Sequence, residues 1–262
     1  MMAWSRLILA LGMVIGVTTP AFAQAGPPAA ERPADALVVN DRWEVGNRRI
    51  FKFNQDFDRF VLKPTAQTYR FLVPAPGRRG ITNLIDTLDQ PWSGANHLAQ
   101  GKVRGFFHTL DRFLINAVFG FGGLVDRASE WGIPRQNEDL GQTLAVWGVP
   151  SGPYLMVPGL GPSNPRDFFG FVSQVLFDPT DIVIEQELGQ MVDFGLLGMT
   201  VIDIRSRAID TADRFIETSE DPYVAIRSAY EQRRRFQILD GEVRAEAADD
   251  PFEPAEPAPP AP

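Results

Sequence analysis

Residues Phe106 to Gly132 read FFHTLDRFLINAVFGFGGLVDRASEWG, and after a polar bridge residues 138–167 read EDLGQTLAVWGVPSGPYLMVPGLGPSNPRD. Val103, Phe106, Phe107, Leu110, Phe113, Leu114, Ala117 and Val118 fall three or four apart or adjacent, which is the signature of one helix face. The helix they predict would be about 25 Å long at 1.5 Å per residue. It runs into Gly120, Gly122 and Gly123, and a second strip punctuated by glycine and proline follows. So much pliable, apolar backbone at a helix end suits a protein that lets an amphipathic molecule slide past its main chain.

The same helical period extends outward in both directions. Ile50, Phe53, Phe57, Phe60 and Val61 share a face, with Asn47 as the expected N-cap and Pro64 as the expected stop. Ile81, Leu84, Ile85 and Leu88 repeat the pattern before Pro91. Ser163 or Asn164, ahead of Pro165, opens another helix with Phe168, Val172, Val175 and Leu176 inside. Asp221-Pro222 opens the last one, with proline at the first helical position and Glu231, Arg233, Arg234 and Arg235 on its expected outer face. Strand signals are confined to Pro153–Val157, one arm of a short hairpin bounded by Ser151-Gly152 and Pro158-Gly159. The fold expected is all-α, a single helical domain over 40–242 with one irregular hairpin or loop near 149–161.

The ends read differently. Residues 1–23 have the form of a signal peptide: Arg6, an apolar run from Leu7 to Val17, Pro20, then Ala21-Phe22-Ala23 as the cleavage site, with Ala25 as the alternative. That run is too short for a bilayer span, which takes about 20 residues. Residues 24–39 are an Ala/Pro-rich linker, and 243–262 an acidic tail of Pro and Ala that cannot build a core. The chain contains no cysteine. Disulfides, thiol catalysis and acylation of a cysteine after the leader are therefore not expected. About half of the net charge of −8 belongs to the tail, and the nearly balanced body argues against nucleic acid as a partner.

Catalytic signatures do not occur: there is no nucleophile elbow, phosphate-binding loop, dinucleotide fingerprint or zinc-helix motif. His97 and His108 are the two histidines, and His108 on a helix flank reads as structural. Asp86 and Asp89 stand at a helix end, and Asp178 and Asp181 around Pro179; capping or solvated roles suit both pairs better than acid–base work. Neither an enzyme nor a cofactor is expected. No mature segment has the length of a transmembrane helix, yet the chain holds nineteen Phe and its stripes are wide. Helices that are oily over more than one face sit in a thick core or in a membrane interface. Phe51, Phe53, Phe57 and Phe60 widen the first helix in this way and are candidates for membrane contact.

Several collinear blocks carry a family resemblance. They are NDRWEVGNRRIFKFN (40–54), VLKPTAQTYR (61–70), QPWSGANHLAQGK (90–102), RFLINAVFGFGGLVDRAS (112–129), the 138–167 block above, and SEDPYVAIRSAYEQRRRF (219–236). In these the chain resembles the MlaA (VacJ) family. The resemblance implies a ring of helices in the plane of the outer membrane, pierced by an amphipathic channel. It implies removal of misplaced phospholipid from the outer leaflet, association with a trimeric porin, and delivery to a soluble periplasmic carrier, with no cofactor. In that setting Gly120, Gly122 and Gly123 are expected to bend the channel wall, and Tyr154, Leu155 and Met156 to form a movable loop beside it. The ordinary alternatives are a helix C-cap for the glycines and a plain connection for the loop. Family members carry an acylated cysteine that this chain lacks, so attachment is expected through the helices or a porin. The competing readings are a soluble periplasmic module that binds a lipid or fatty acid in a closed pocket, and a membrane-interface protein of host interaction without transport.

Overall fold

Helix α1 (Glu44–Phe57) passes without a break into a π-helical turn, Asp58–Leu62, and on into α2 (Lys63–Leu72). Pro64 therefore does not stop the helix as its position predicts. The Lys63 N–H reaches back five residues to the Asp58 carbonyl, and this wider turn accommodates a residue with no N–H and a bulky ring. The computed structural model describes residues 40–241; the leader, the linker, and the tail from 242 onward lie outside them.

Asn47 is not the N-cap; Trp43 takes that position. Asn47 is buried one turn inside α1, where its Nδ2 donates to Asp41 Oδ1 at 2.9 Å and to the Tyr154 carbonyl at 3.1 Å. Its Oδ1 accepts from the Met156 N–H at 3.0 Å. Two turns on, Asn54 donates to the Val157 carbonyl at 3.0 Å and accepts from the Gly159 N–H at 2.8 Å. Residues seven apart share a helix face, so the two amides bond one edge of a hairpin much as a third strand would. That hairpin pairs β1 (Leu155–Val157) with β2 (Gly161–Ser163), antiparallel, Met156 opposite Pro162.

The remaining helices are α3 (Ala75–Leu88), α4 (Gln90–Ala99), α5 (Val103–Phe119), α6 (Arg127–Glu130) and α7 (Leu140–Val146). After the hairpin come α8 (Pro165–Phe177), α9 (Pro179–Leu188), α10 (Gln190–Thr218) and α11 (Pro222–Ile238). Three of these starts share one device. Asn164, Asp178 and Asp221 each precede a proline, and each side chain accepts from a backbone N–H of the first turn. Helices α3, α10, α9 and α8 touch in succession, and the Gln174 amide closes the circuit by donating to Asp89 Oδ1 at 2.8 Å.

The distribution of side chains over the whole domain is unusual. Among the described residues, buried polar and charged side chains outnumber buried apolar ones, while many large apolar side chains face outward. Helix α5 shows the inversion most plainly. Its buried positions are Thr109, Arg112 and Asn116, whereas Val103, Phe107, Leu114, Val118 and Phe119 are exposed. Half of the stripe that defines the helix in the sequence, Val103, Phe107, Leu114 and Val118, lies on its outer face. Arg112, buried, donates to Asp126, Ser129 and the Ile133 carbonyl, and so straps the loop after α5 to the helix. On α11, Arg234 is likewise turned inward rather than lying on a charged outer face. No helix among the described residues is long and apolar enough to cross a membrane.

Candidate functional site

A cavity of about 280 Å³ opens inside the helical circuit. Its wall is built from Ile85 and Leu88 of α3, Phe171 and Val175 of α8, Ile184 of α9, and the face of α10 that carries Phe194, Leu197, Val201 and Ile204. On α3, α8 and α10 these positions recur at helical spacing, so the apolar wall follows from three amphipathic stripes that meet side by side, with Ile184 added by α9. Asp89, Gln174, Asp178, Asp181, Asp193 and Thr200 supply the polar part of the lining. The cavity is amphipathic.

Asp89 and Asp178 are more than solvated turn residues. Asp178 caps α9 by accepting from the Thr180 N–H at 2.8 Å, as a turn aspartate should, but it is also buried. Asp89 is half-buried and belongs to the cavity wall. Burial drives its pKa up to about 6, against the opposing pull of Arg135. Burial raises Asp178 too. Asp86 behaves differently, bonding Arg135 directly.

Neither group of residues expected at the channel from the sequence lines this cavity. Tyr154 and Met156 are not a free strip. They are buried with Tyr223 in a cluster that Ile50, Phe51, Val224 and Tyr230 complete, and only Leu155 is half-buried. Tyr154 meets the rings of Tyr223 and Tyr230 edge-on at 6.1 and 6.0 Å. Aromatic packing of this kind, with Asn47 holding the backbone on either side, fixes the hairpin base.

The glycines form the turn that leaves α5. Gly122 and Gly123 have φ of +70° and +98°, and Phe121 between the glycines is itself left-handed at +53°. Gly120 has an ordinary negative φ; it is glycine because a Cβ there would run into the Val125 and Asn116 carbonyls. At Gly123 an added Cβ would also come within 2.9 Å of Thr87 on α3, whereas at Gly122 it would meet nothing. Gly122→Ala should therefore cost about 1–2 kcal/mol, the left-handed penalty alone. Gly123→Ala should cost distinctly more, because strain and collision coincide. Denaturant unfolding of the two variants checks the order, and equal costs would show that Thr87 yields freely.

The four phenylalanines of the first helix divide. Phe51 packs edge-on against Tyr223 at 5.7 Å, and Phe57 packs against Leu62 and Val201. Phe53 and Phe60 stand 54% and 70% exposed. His97 is buried and held below its usual pKa by that burial, with Gly105 so close that a Cβ there would collide with the imidazole. It is a packing residue. What the sequence did not flag was the face of α10 and the Asp89–Gln174–Asp178 group, whose members lie far apart along the chain.

An outer surface rich in exposed apolar side chains, a polar interior and an amphipathic cavity define a helical protein whose outside suits hydrocarbon and whose inside suits a polar group. The family model described as MlaA lipoprotein matches residues 39–237, and the chain belongs to this family. It is 33% identical over 208 residues to the intermembrane phospholipid transport system lipoprotein MlaA of Haemophilus influenzae, covering 78% of this chain and 81% of that protein. The Escherichia coli K12 protein of the same description is 30% identical over 220 residues, with 82% and 85% covered. A solved structure reported as the structural basis for maintenance of bacterial outer membrane lipid asymmetry superposes with a TM-score of 0.64 at 33% identity. It covers 76% of this chain and 98% of that one.

Proposed function

We propose that this protein moves mislocalised phospholipid out of the outer leaflet of the outer membrane, and so maintains lipid asymmetry. The observation that carries the reading is the inverted distribution of side chains: apolar residues exposed around the rim, polar residues buried within. Exposed apolar side chains in that number suit a membrane interface. In hydrocarbon that arrangement is the stable one. A phospholipid headgroup stripped of water in a bilayer loses solvation that only polar partners restore. A ring of helices, none among the described residues long and apolar enough to span, enclosing an amphipathic cavity, supplies such partners while the acyl chains meet the apolar wall. The role requires no catalysis.

The names of the relatives support the substrate, and the family resemblance supports the neighbours: a trimeric porin beside the ring and a soluble periplasmic lipid carrier that takes the phospholipid onward. The place proposed is the periplasmic side of the outer membrane, reached with the 1–23 leader and, with no cysteine available, held without an acyl chain. The glycine turn and the hairpin are proposed to keep the ring in shape, not to line the path. The test is to express the chain in a Gram-negative strain that lacks its own MlaA. Restored detergent resistance and loss of surface phospholipid labelling are expected; a well-expressed chain that changes neither would refute the reading.

Membrane contact has its own test. Phe53→Ser with Phe60→Ser should shift protein from the membrane pellet to the soluble fraction and leave the helical circular dichroism intact. Phe51→Ser or Phe57→Ser should instead lower the melting temperature, since those rings pack inside. Double variants that stay fully membrane-bound would mean that other exposed residues suffice.

A further inference from the structure

The cavity wall carries two carboxylates, Asp89 and Asp178. Asp89, at the junction of α3 and α4, accepts from the Gln174 amide through Oδ1, and Asp178, at the junction of α8 and α9, accepts from the Thr180 N–H. Each of these donors is neutral. Asp89 Oδ2 has no hydrogen-bond partner among the described residues, and Asp89 belongs to the cavity wall. Arg135 is the basic side chain whose charge reaches Asp89, but its guanidinium is bonded to Asp86. Asp181 and Asp193, which have interactions of their own, add to the acidic character of the same wall.

Two carboxylates, Asp178 buried and Asp89 half-buried, that feel each other's charge beside apolar walls are costly while both are ionised. A cation arriving in the cavity would relieve that cost. Among the described residues no trio of acidic or histidine side chains is grouped to hold a metal ion. A primary ammonium fits better: it is a compact +1 charge with three N–H donors, so it can bond an acceptor left open and lie between two carboxylates at once. The apolar remainder of the cavity then takes the hydrocarbon to which that ammonium is attached.

We infer that Asp89 and Asp178 receive the primary ammonium of an amine-headgroup phospholipid, of the ethanolamine type, so that the path prefers such lipids over anionic ones. The inference rests on the lipid path proposed above and names which lipid it favours. An anionic headgroup without an amine would bring its charge toward like charges. A quaternary amine would bring the positive charge but no N–H to donate.

The experiment uses the full chain, solubilised and equilibrated with phosphatidylethanolamine, phosphatidylglycerol and phosphatidylcholine of identical acyl chains at equal mole fraction. Lipid retained by the protein is then weighed by native mass spectrometry. The wild type should retain the ethanolamine lipid over the glycerol lipid by about tenfold, the scale of one charge-assisted hydrogen bond. Asp89→Asn and Asp178→Asn keep shape and hydrogen-bonding capacity, and each should erase most of the preference for the ethanolamine lipid over the glycerol lipid. Should either variant fail to fold, the wild-type preference for ethanolamine over both other lipids decides alone. Lipid retained without preference, or a preference that survives both substitutions, would overturn the inference and leave the lipid path standing. No phospholipid retained at all would overturn the path itself.

Discussion

Arg234→Ala is expected to destabilise the domain by about 2–4 kcal/mol, because Arg234 and Asp167 are buried while solvent at the partly exposed Asp139 screens the charge left behind. Its guanidinium bonds both oxygens of Asp139, at 2.5 and 2.6 Å, and reaches Asp167 Oδ1 at 3.0 Å. Those contacts tie α11 to the starts of α7 and α8. At a scale of 2–4 °C per kcal/mol for a domain of this size, the melting temperature should fall by roughly 10 °C. The pH dependence gives a second readout. Burial pushes the Asp139 carboxyl up, but the Arg234 hydrogen bonds and charge more than offset this and hold it below its ordinary value of 3.8. A depressed pKa contributes stability that is full above the unfolded value and lost as pH falls through the folded one. The gap between wild type and variant should thus be widest above about pH 4 and narrow on acidification. A gap that is flat with pH would mean that Arg234 acts by packing alone.

Filling the cavity should abolish function with much less damage to the fold. Ile184 sits in its wall on α9, a helix with no fully buried residue. Ile184→Trp is expected to cost about 1–3 kcal/mol from overpacking, and to leave cells as detergent-sensitive as a strain with no MlaA. Val183→Trp, on the exposed side of the same helix at 56%, is the control and should complement fully. If the plugged variant also complements, the lipid does not pass through this cavity.

How much of this was legible depends on what periodicity measures. The helices around Leu84, Phe113 and Phe168 appear where their apolar spacing places them, and Asn164 and Asp221 cap as a short polar side chain before proline should. Periodicity gives a stripe, however, not the side on which water or lipid lies. In α5 the exposed positions carry much of the stripe, while Arg112 and Asn116, polar and unremarkable in sequence, are the buried anchors. Pro64 misleads for a local reason, because the π-helical turn before it removes the hydrogen bond a proline would break. Asn47 misleads for a distant one, since its partners are 107 and 109 residues away. The cavity shares that fate. Asp89 and Gln174 are 85 residues apart and look like surface polars until the tertiary fold brings them together.

The bonds from α1 to the hairpin also bear on the order in which the molecule can be made. A two-stranded hairpin of three residues per strand is not stable alone, and here its outer edge is completed by Asn47 and Asn54. A chain that is synthesised from its N-terminus therefore produces α1 more than a hundred residues before the backbone those amides need. Through that interval Phe51 lacks Tyr223, and Phe57 lacks Val201. Distant closure of this kind slows folding and leaves sticky surface in view. The first of the described helices to emerge is thus among the last to be satisfied, and its apolar face stays uncovered through most of synthesis.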